Sequence, residues 1–510
     1  MLTRVWGATL YGIEGRPVSV EVDAGRGLPS FQIVGQGDRV VNESRDRIRA
    51  AFRQSGLEFP PGRVTVNLAP SELPKAGSAL DLPMAVAIAA TREPVAGETL
   101  ASALLLGELG LDGSLRAVRG AAALTSAAHL AGLERVVVPL PNLDEAAACP
   151  DARVFGAVTL AEVLGWLLEK NDLVLAAPHG PERPERSEPD LADVRGQPGA
   201  RRALEVAAAG RHNLLMVGPP GSGKTLLARR LPGLLPDLDD DEAREATRVH
   251  SVAGTLGGSA LLRRPPFRAP HHTTSDAGMT GGGRPLRPGE ISLAHRGVLF
   301  LDELPEFRRP VLEALRQPLE EGAVRLVRAG AALDLPARFQ LVAAMNPCPC
   351  GYHGDERRDC RCDDPTIARY RRKLSGPLLD RIDLHVPVPP VPVRDVLPEP
   401  VARGAGDTAE RSSTVASRVL AARERQALRY AGRPFTTNSE LPTADLARDC
   451  ALDPECRTLL ERALTALGLS MRAVARVLRV ARTSADLSGE KRIAPAHLAE
   501  AIGYRGLDRA

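Results

Sequence analysis

A chain of 510 residues with 44% hydrophobic side chains can bury cores, and at about 150 residues per domain it should hold roughly three of them. Its 66 basic and 63 acidic residues leave a net charge of +3, which excludes polyanion binding by global charge, so any nucleic-acid contact must come from local patches. Aromatics at 3% argue against reading single strands by base stacking, and the lack of a basic leader or a bilayer-length apolar run predicts a cytoplasmic protein without membrane contact.

Residues 3–34 read as short strands broken by glycine turns, 40–53 as a charged helix and 63–68 as a further strand. Beyond them, 80–91 and 121–131 read as helices, 104–118 as a hairpin turning at Asp112 and Gly113, and 135–139 as a strand. Together they predict one α+β domain over 1–170, with Asp81 starting or capping its helix, where a carboxylate suits the dipole. Two stretches, PKAGSALDLPMA at 74–85 and GSLRAVRGAAALTSAAHLAGLERVVVP at 113–139, resemble the C-terminal protease domain of Lon. The resemblance puts the Lon serine at Ala79, one residue from Ser78, and the Lon lysine at Ala122. Alanine cannot accept a proton, so the Ser/Lys dyad is missing and no peptidase activity is expected. Lys75 and Ser78 then read as part of a loop leading into the helix. Residues 171–189, rich in proline and charge, read as a tether.

The most informative stretch is LLMVGPPGSGKTLLARRL at 214–231, which reads as strand, phosphate-binding loop and helix. Gly218 to Thr225 match G-x-x-x-x-G-K-[ST], in which glycines let backbone amides wrap a phosphate, the lysine neutralises it and the hydroxyl ligates Mg²⁺. Gly218, Pro219, Pro220, Gly221, Ser222, Gly223, Lys224, Thr225 and Leu226 are therefore the expected ATP-binding residues. Lysine supplies only five of the 66 basic residues, so a compact ammonium is specifically wanted at Lys224.

A core over 190–392 is expected around this loop. Val194, Gly196 and Gln197 precede it in a segment that sits over the adenine in many AAA+ ATPases. Downstream, GVLFLDEL at 297–304 is an apolar strand ending in an acidic pair. Placed beside the phosphate-loop strand, Asp302 would hold the Mg²⁺ shell and Glu303 would orient or deprotonate the attacking water. The next apolar strand, 339–345, ends at Asn346, which reads either as the water-positioning sensor 1 of AAA+ proteins or as a turn former before Pro347. Arg381 in SGPLLDRIDLHV matches the arginine-finger position of related motors, which act on the nucleotide of a neighbouring subunit; the alternative is a local pair with Asp380 or Asp383.

Two insertions stand out. Residues 262–287 are too rich in glycine and proline for a regular element, and 322–335 read as a β-hairpin. Both resemble the helix-2 insert and pre-sensor hairpin of the magnesium-chelatase and MCM branch of AAA+ proteins, whose loops point into a ring's pore. Within them, adjacent His271 and His272 suit packing or hydrogen bonding better than chelation, and Arg325 and Arg328 could face a phosphate backbone or solvent.

Four of the seven cysteines fall in NPCPCGYHGDERRDCRC at 346–362. Cys348, Cys350, Cys360 and Cys362 form two C-x-C pairs that could supply a tetrahedral Zn²⁺ site, or remain a reduced, metal-free loop. A linker over 393–413 leads to a helical region over 414–510. There Val474, Leu478, Ala481 and Ala485 share one face, while Arg472, Arg476 and Arg479 lie on another. This segment resembles the AAA+ lid helix that carries sensor 2, with Arg472 at the residue that touches the γ-phosphate and Arg476 and Arg479 reading equally as a solvated face.

Together these motifs identify the chain as a member of the ComM/YifB family of magnesium-chelatase-like AAA+ ATPases. The implied fold is multidomain, α+β and α/β: a Lon-protease-like N-terminal domain, an AAA+ P-loop NTPase core and a C-terminal helical lid. The implied function is an ATP- and Mg²⁺-dependent hexameric DNA helicase that promotes branch migration as DNA is integrated during natural transformation or recombination. Catalytic roles fall on Lys224, Asp302, Glu303, Asn346, Arg381 and Arg472. An alternative is a chelatase-like ATPase subunit or an assembly factor that does not act on DNA.

Overall fold

The computed structural model describes residues 2–92, 95, 97–148, 152–177, 188–256, 260–283, 286–328, 331–391 and 410–506. Most of both expected linkers and the side chain of Arg328 lie outside the described residues. None of the described helices is long and apolar enough to cross a membrane.

The N-terminal unit is built on an eight-stranded mixed sheet. Leu2–Tyr11 and Glu14–Gly25 form an antiparallel hairpin, continued on one side by Arg63–Ala69 and then Ser30–Val34. On the other side Ala103–Leu105, Arg135–Pro139 and Arg153–Ala157 run parallel, and the edge strand Val174–Leu175 lies within the segment read as tether. Alternation decides which face each residue covers: Val64, Val66 and Leu68 point inward from Arg63–Ala69. Helices Arg39–Gln54 and Asp81–Ala89 cover that face, and Ala121–Thr125 and Ala127–Leu130 help to cover the other.

Asp81 does not cap its helix. The cap position is Leu80, and the Asp81 carboxylate is fully buried, accepting from Arg47 Nε at 2.6 Å, from the Ser44 hydroxyl and from the backbone amide of Leu109 at 3.2 Å. A first-turn carboxylate and a long-range ion pair start from the same sequence position, and here the ion pair with the neighbouring helix wins. The preceding helix, Arg39–Gln54, is capped by Asp38, whose side chain accepts from Val41 N at 2.8 Å.

The central unit carries a five-stranded parallel sheet in the order Phe267–Arg268, Val298–Leu301, Gln340–Met345, Leu214–Val217, Leu384–Pro387. This corrects the expected adjacency: the acidic-pair strand Val298–Leu301 is not beside the phosphate-loop strand, because the sensor strand Gln340–Met345 lies between them. All six residues of that central strand are buried, as a strand covered on both faces requires. The glycine- and proline-rich insertion also holds more order than expected. Phe267–Arg268 is the edge strand of the main sheet, followed by a helical turn, Asp276–Thr280, and a ribbon of Gly281–Gly282 with Arg287–Pro288. The expected hairpin is present as Ala323–Arg328 paired with Ala331–Pro336.

Four longer C-terminal helices, Ser412–Arg429, Pro454–Leu467, Met471–Leu487 and Pro495–Gly503, share a core with Pro198–Gly210 and the main sheet. Between the first two of these, the region read as helical holds only short turns, among them Thr443–Asp445 and Leu446–Asp449. Among the described residues the N-terminal unit touches the core around its first hairpin and around helix Asp240–Ala253. Ile13 packs into the cluster that also holds Leu335, and Ser251 of helix Asp240–Ala253 donates to Glu145.

Candidate functional site

The phosphate loop turns where its glycines allow it. Gly221 and Gly223 have φ of +76° and +94°, in the left-handed region, and a Cβ at Gly218 would lie 2.0 Å from the carbonyl oxygen of Val388. Lys224 begins a short helix, Lys224–Ala228. Its ammonium is nearly buried and donates to the carbonyls of Gly218 at 2.7 Å and Pro219 at 2.8 Å, and to Asn346 Oδ1 at 3.3 Å. These described partners are all neutral, and burial pulls the ammonium below its ordinary range against the pull of Asp302 and Glu303. The buried Ser222 hydroxyl has no partner among the described residues. A cation held by neutral groups beside an unpaired hydroxyl fits a phosphate.

Thr225 Oγ1 donates to Asp302 Oδ2 at 2.6 Å, so the two oxygens expected to ligate Mg²⁺ are brought together although their strands are not neighbours. Glu303 follows with φ of +53°, rare for a residue with a side chain, and its amide donates to Asp302 Oδ1 at 2.9 Å. Its half-exposed carboxylate lies 3.3 Å from Nδ1 of His272. His272 in turn lies against His271, with ring centroids 4.1 Å apart, and edge-on to Phe307. Sequence reasoning took this histidine as a packing or hydrogen-bonding residue but could not find its partner 31 positions away. Gln197 is buried beside the loop, donating to the carbonyls of Ser222 at 3.3 Å and Pro389. Leu226 is exposed.

Arg381 and Arg472 lie elsewhere. Asn213, at the opposite end of the phosphate-loop strand, donates to the carbonyl of Arg381 at 2.9 Å. Four residues of strand separate the two ends, roughly 13 Å. There Arg381, Arg472, Arg476 and Arg479 line a cavity of about 730 Å³ together with Arg211 and Arg338. Arg381 is buried and pairs with Glu320, not with the expected Asp380 or Asp383. Arg472 is exposed. Arg476 and Arg479 do not form a solvated face: Arg476 pairs with Asp383 at 2.5 Å and Arg479 donates to the carbonyl of Leu441 at 2.8 Å.

Asp383 was missed by sequence reasoning as more than a neighbour of Arg381. It is buried, accepts from the amide of Asn213 at 2.9 Å and faces His212 Nδ1 at 3.7 Å. Burial pushes its carboxyl upward, but the Arg476 guanidinium and His212 hold it well below the usual carboxylate range.

The cysteines converge. Sγ atoms of Cys348 and Cys350 are 3.3 Å apart, Cys348 and Cys360 3.7 Å, and Cys350 and Cys360 3.6 Å, and with Cys362 all four lie within 4.8 Å of one another. Four sulfurs at about 2.3 Å from a tetrahedral Zn²⁺ would be about 3.8 Å apart, so the donor set fits that ion. Amides of Tyr352 and Arg361 draw the Cys350 thiol down to about 6, whereas burial and the neighbouring thiols push those of Cys360 and Cys362 up. On the hairpin, Arg325 is held by Asp334 at 2.9 Å across the ribbon.

Comparison with known proteins matches three parts of this arrangement. Residues 190–396 match the family profile described as magnesium chelatase, subunit ChlI; residues 20–142 that of subunit ChlI of Mg-chelatase; and residues 409–505 that of the ChlI C-terminal region. Over 512 residues the chain is 43% identical to competence protein ComM of Haemophilus influenzae, covering 100% of this chain and 98% of that protein. The chain belongs to the ComM/YifB family of magnesium-chelatase-like AAA+ proteins. It is also 44% identical over 506 residues to YifB of Escherichia coli, covering 98% and 96% of the two chains. Identity to Rv2897c of Mycobacterium tuberculosis is 45% over 513 residues, covering 99% and 98%.

Proposed function

We propose that this chain is a Mg²⁺-dependent ATPase working as a homohexameric ring in the cytoplasm, and that the ring moves along DNA to promote branch migration during natural transformation or recombination. The observation that carries the reading is the separation within one subunit of Lys224 from the arginine cavity holding Arg381 and Arg472. A subunit with its phosphate loop at one end of the sheet and this group of arginines at the other completes a site by meeting a second copy head to tail, and such heterologous contacts form a ring when the rotation closes. Membership of a family of oligomerising ATPases, and resemblance to a competence protein, support the same reading.

In the composite site Lys224 neutralises phosphate oxygens and Thr225 and Asp302 are the residues that would hold Mg²⁺. The ion supplies charge neutralisation at the β- and γ-phosphates. Glu303 takes the proton of the attacking water, Asn346 aligns that water, and Arg381 and Arg472 of the adjoining subunit stabilise charge on the transferred group. Cys348, Cys350, Cys360 and Cys362 are the residues that would hold a structural Zn²⁺. The N-terminal unit keeps a Lon-like fold without peptidase chemistry: Ser78 donates to Glu108, while the Lys75 amine is committed to the carbonyl of Pro70.

The test is ATP hydrolysis with and without forked and four-way DNA. Hydrolysis should rise with DNA, strands should be displaced, and Glu303→Gln should abolish both. Mixing Lys224→Ala with Arg381→Ala subunits, each inactive alone, should restore part of the activity, because some interfaces then carry both intact halves. No recovery on mixing would refute the shared site. ATP hydrolysis indifferent to every DNA would favour the chelatase-like or assembly-factor reading.

A further inference from the structure

The cysteine cluster does more than follow the sensor strand: its turn lies against the phosphate loop. Gly351, between Cys350 and Tyr352, has φ of +89°, and a Cβ there would lie 2.5 Å from Cδ and 2.8 Å from Cγ of Pro220, the third residue of the loop, and 3.9 Å from Cγ of Asn346. The turn is closed by the Gly351 amide donating to the carbonyl of Cys348 at 3.0 Å. Cys348 is fully buried, and Asn346, two residues before it, accepts from Lys224. One short knuckle therefore touches the loop that wraps the phosphate and carries the amide that meets its lysine.

Besides the thiols, the knuckle is held by exposed contacts, among them Arg357 donating to the carbonyl of Val391 at 3.1 Å and Arg358 donating to the Tyr352 hydroxyl at 2.8 Å. The segment joining the two cysteine pairs, GYHGDERRD, forms no helix or strand, and apart from Gly351 its residues are not buried. Its apolar content is too small to offset the conformational entropy of closing it. A tetrahedral ion bound by two thiolates from each end closes such a loop and supplies the missing free energy.

We propose that Zn²⁺ on Cys348, Cys350, Cys360 and Cys362 is a brace for nucleotide binding, fixing through Gly351 the position of Pro220 and through Asn346 the position of Lys224. This rests on the zinc reading above and goes beyond it, because it makes the affinity for nucleotide depend on a metal that touches neither the nucleotide nor its Mg²⁺. Gly351 and Asn346 act as positioning residues in it.

The full chain, purified without chelator, is assayed for zinc by elemental analysis and titrated with a fluorescent ADP analogue in Mg²⁺. The titration is repeated after stripping with a thiolate-competing chelator and after zinc is returned, with circular dichroism recorded each time. One zinc per chain is expected. Stripping should weaken nucleotide binding about tenfold, the worth of one charge-assisted hydrogen bond, and zinc should restore it. Gly351→Ala keeps all four thiolates but drives a Cβ into Pro220; it should retain one zinc and still lose about tenfold in affinity. Zinc absent from the purified chain overturns the metal itself. Zinc present, with a stripped, folded chain that binds the analogue as tightly as before, overturns only the brace. Should stripping unfold the chain, a folded, zinc-replete Gly351→Ala protein of unchanged affinity overturns it equally.

Discussion

Asp383→Ala should be among the most damaging single changes outside the phosphate loop. The carboxylate is 3% exposed and receives Arg476 at 2.5 Å and the amide of Asn213 at 2.9 Å, so it joins the lid helix Met471–Leu487 to the start of the phosphate-loop strand. Its removal leaves a partly buried guanidinium without a counter-charge and a backbone amide without an acceptor. Breaking a buried pair in this way costs about 3–5 kcal/mol. At about 2.1 cal/mol/K per residue, a unit of roughly 300 residues sharing one core should lose roughly 5–8 °C from its unfolding midpoint. Differential scanning calorimetry of the full chain can follow the motor-and-lid transition, with Asp383→Asn as a milder variant that keeps the shape and loses the charge. The pH dependence supplies an independent check. Because the folded carboxyl titrates below its ordinary value of 3.8, the pair contributes fully above that value and is lost as pH falls toward and through the folded one. The difference between wild type and variant should therefore stay flat through neutrality and shrink only in acid. A midpoint shift of less than about 2 °C at pH 7, or a difference already shrinking near pH 6, would refute the reasoning.

Two further outcomes are expected. Gly218→Ala places a Cβ 2.0 Å from a backbone carbonyl, and overpacking of about 1–3 kcal/mol should weaken binding of a fluorescent nucleotide roughly tenfold to a hundredfold; unchanged affinity would mean the loop relaxes freely. His272→Ala frees the Glu303 carboxylate from its 3.3 Å contact, and hydrolysis without DNA should rise while the DNA-stimulated rate changes little. A fall in both rates would show instead that the histidine holds Glu303 in its working position.

Much of the site was legible because phosphate chemistry demands residues that are close in the chain. Gly218 to Thr225 are one turn, and amides, lysine and hydroxyl must arrive together on one phosphate. The acidic pair at Asp302 and Glu303 and the four cysteines were legible for the same reason. Strand order was not. Val298–Leu301 and Gln340–Met345 are both runs of buried residues, and a strand covered on both faces has no periodicity to say which neighbour it takes. Phe267–Arg268 is two residues long and shows no pattern at all. Asp81 starts its helix as read, but a helix-start carboxylate looks the same in sequence whether it serves its own amides or Arg47.

What the sequence determined by itself, then, is local: a glycine-rich loop shaped for phosphate, an acidic pair at a strand end, four clustered thiols, arginines on a helix. These depend on neighbours a few residues away, and spacing alone specifies them. The tertiary structure decided everything that joins distant segments. It put Asp302 on Thr225 across an intervening strand, His272 on Glu303, Gly351 on Pro220, and Arg381 with Arg472 at the far end of the sheet. Those contacts depend on strand order and on the packing of the lid, which no run of consecutive residues encodes. The last of them is the arrangement on which the proposed shared site rests.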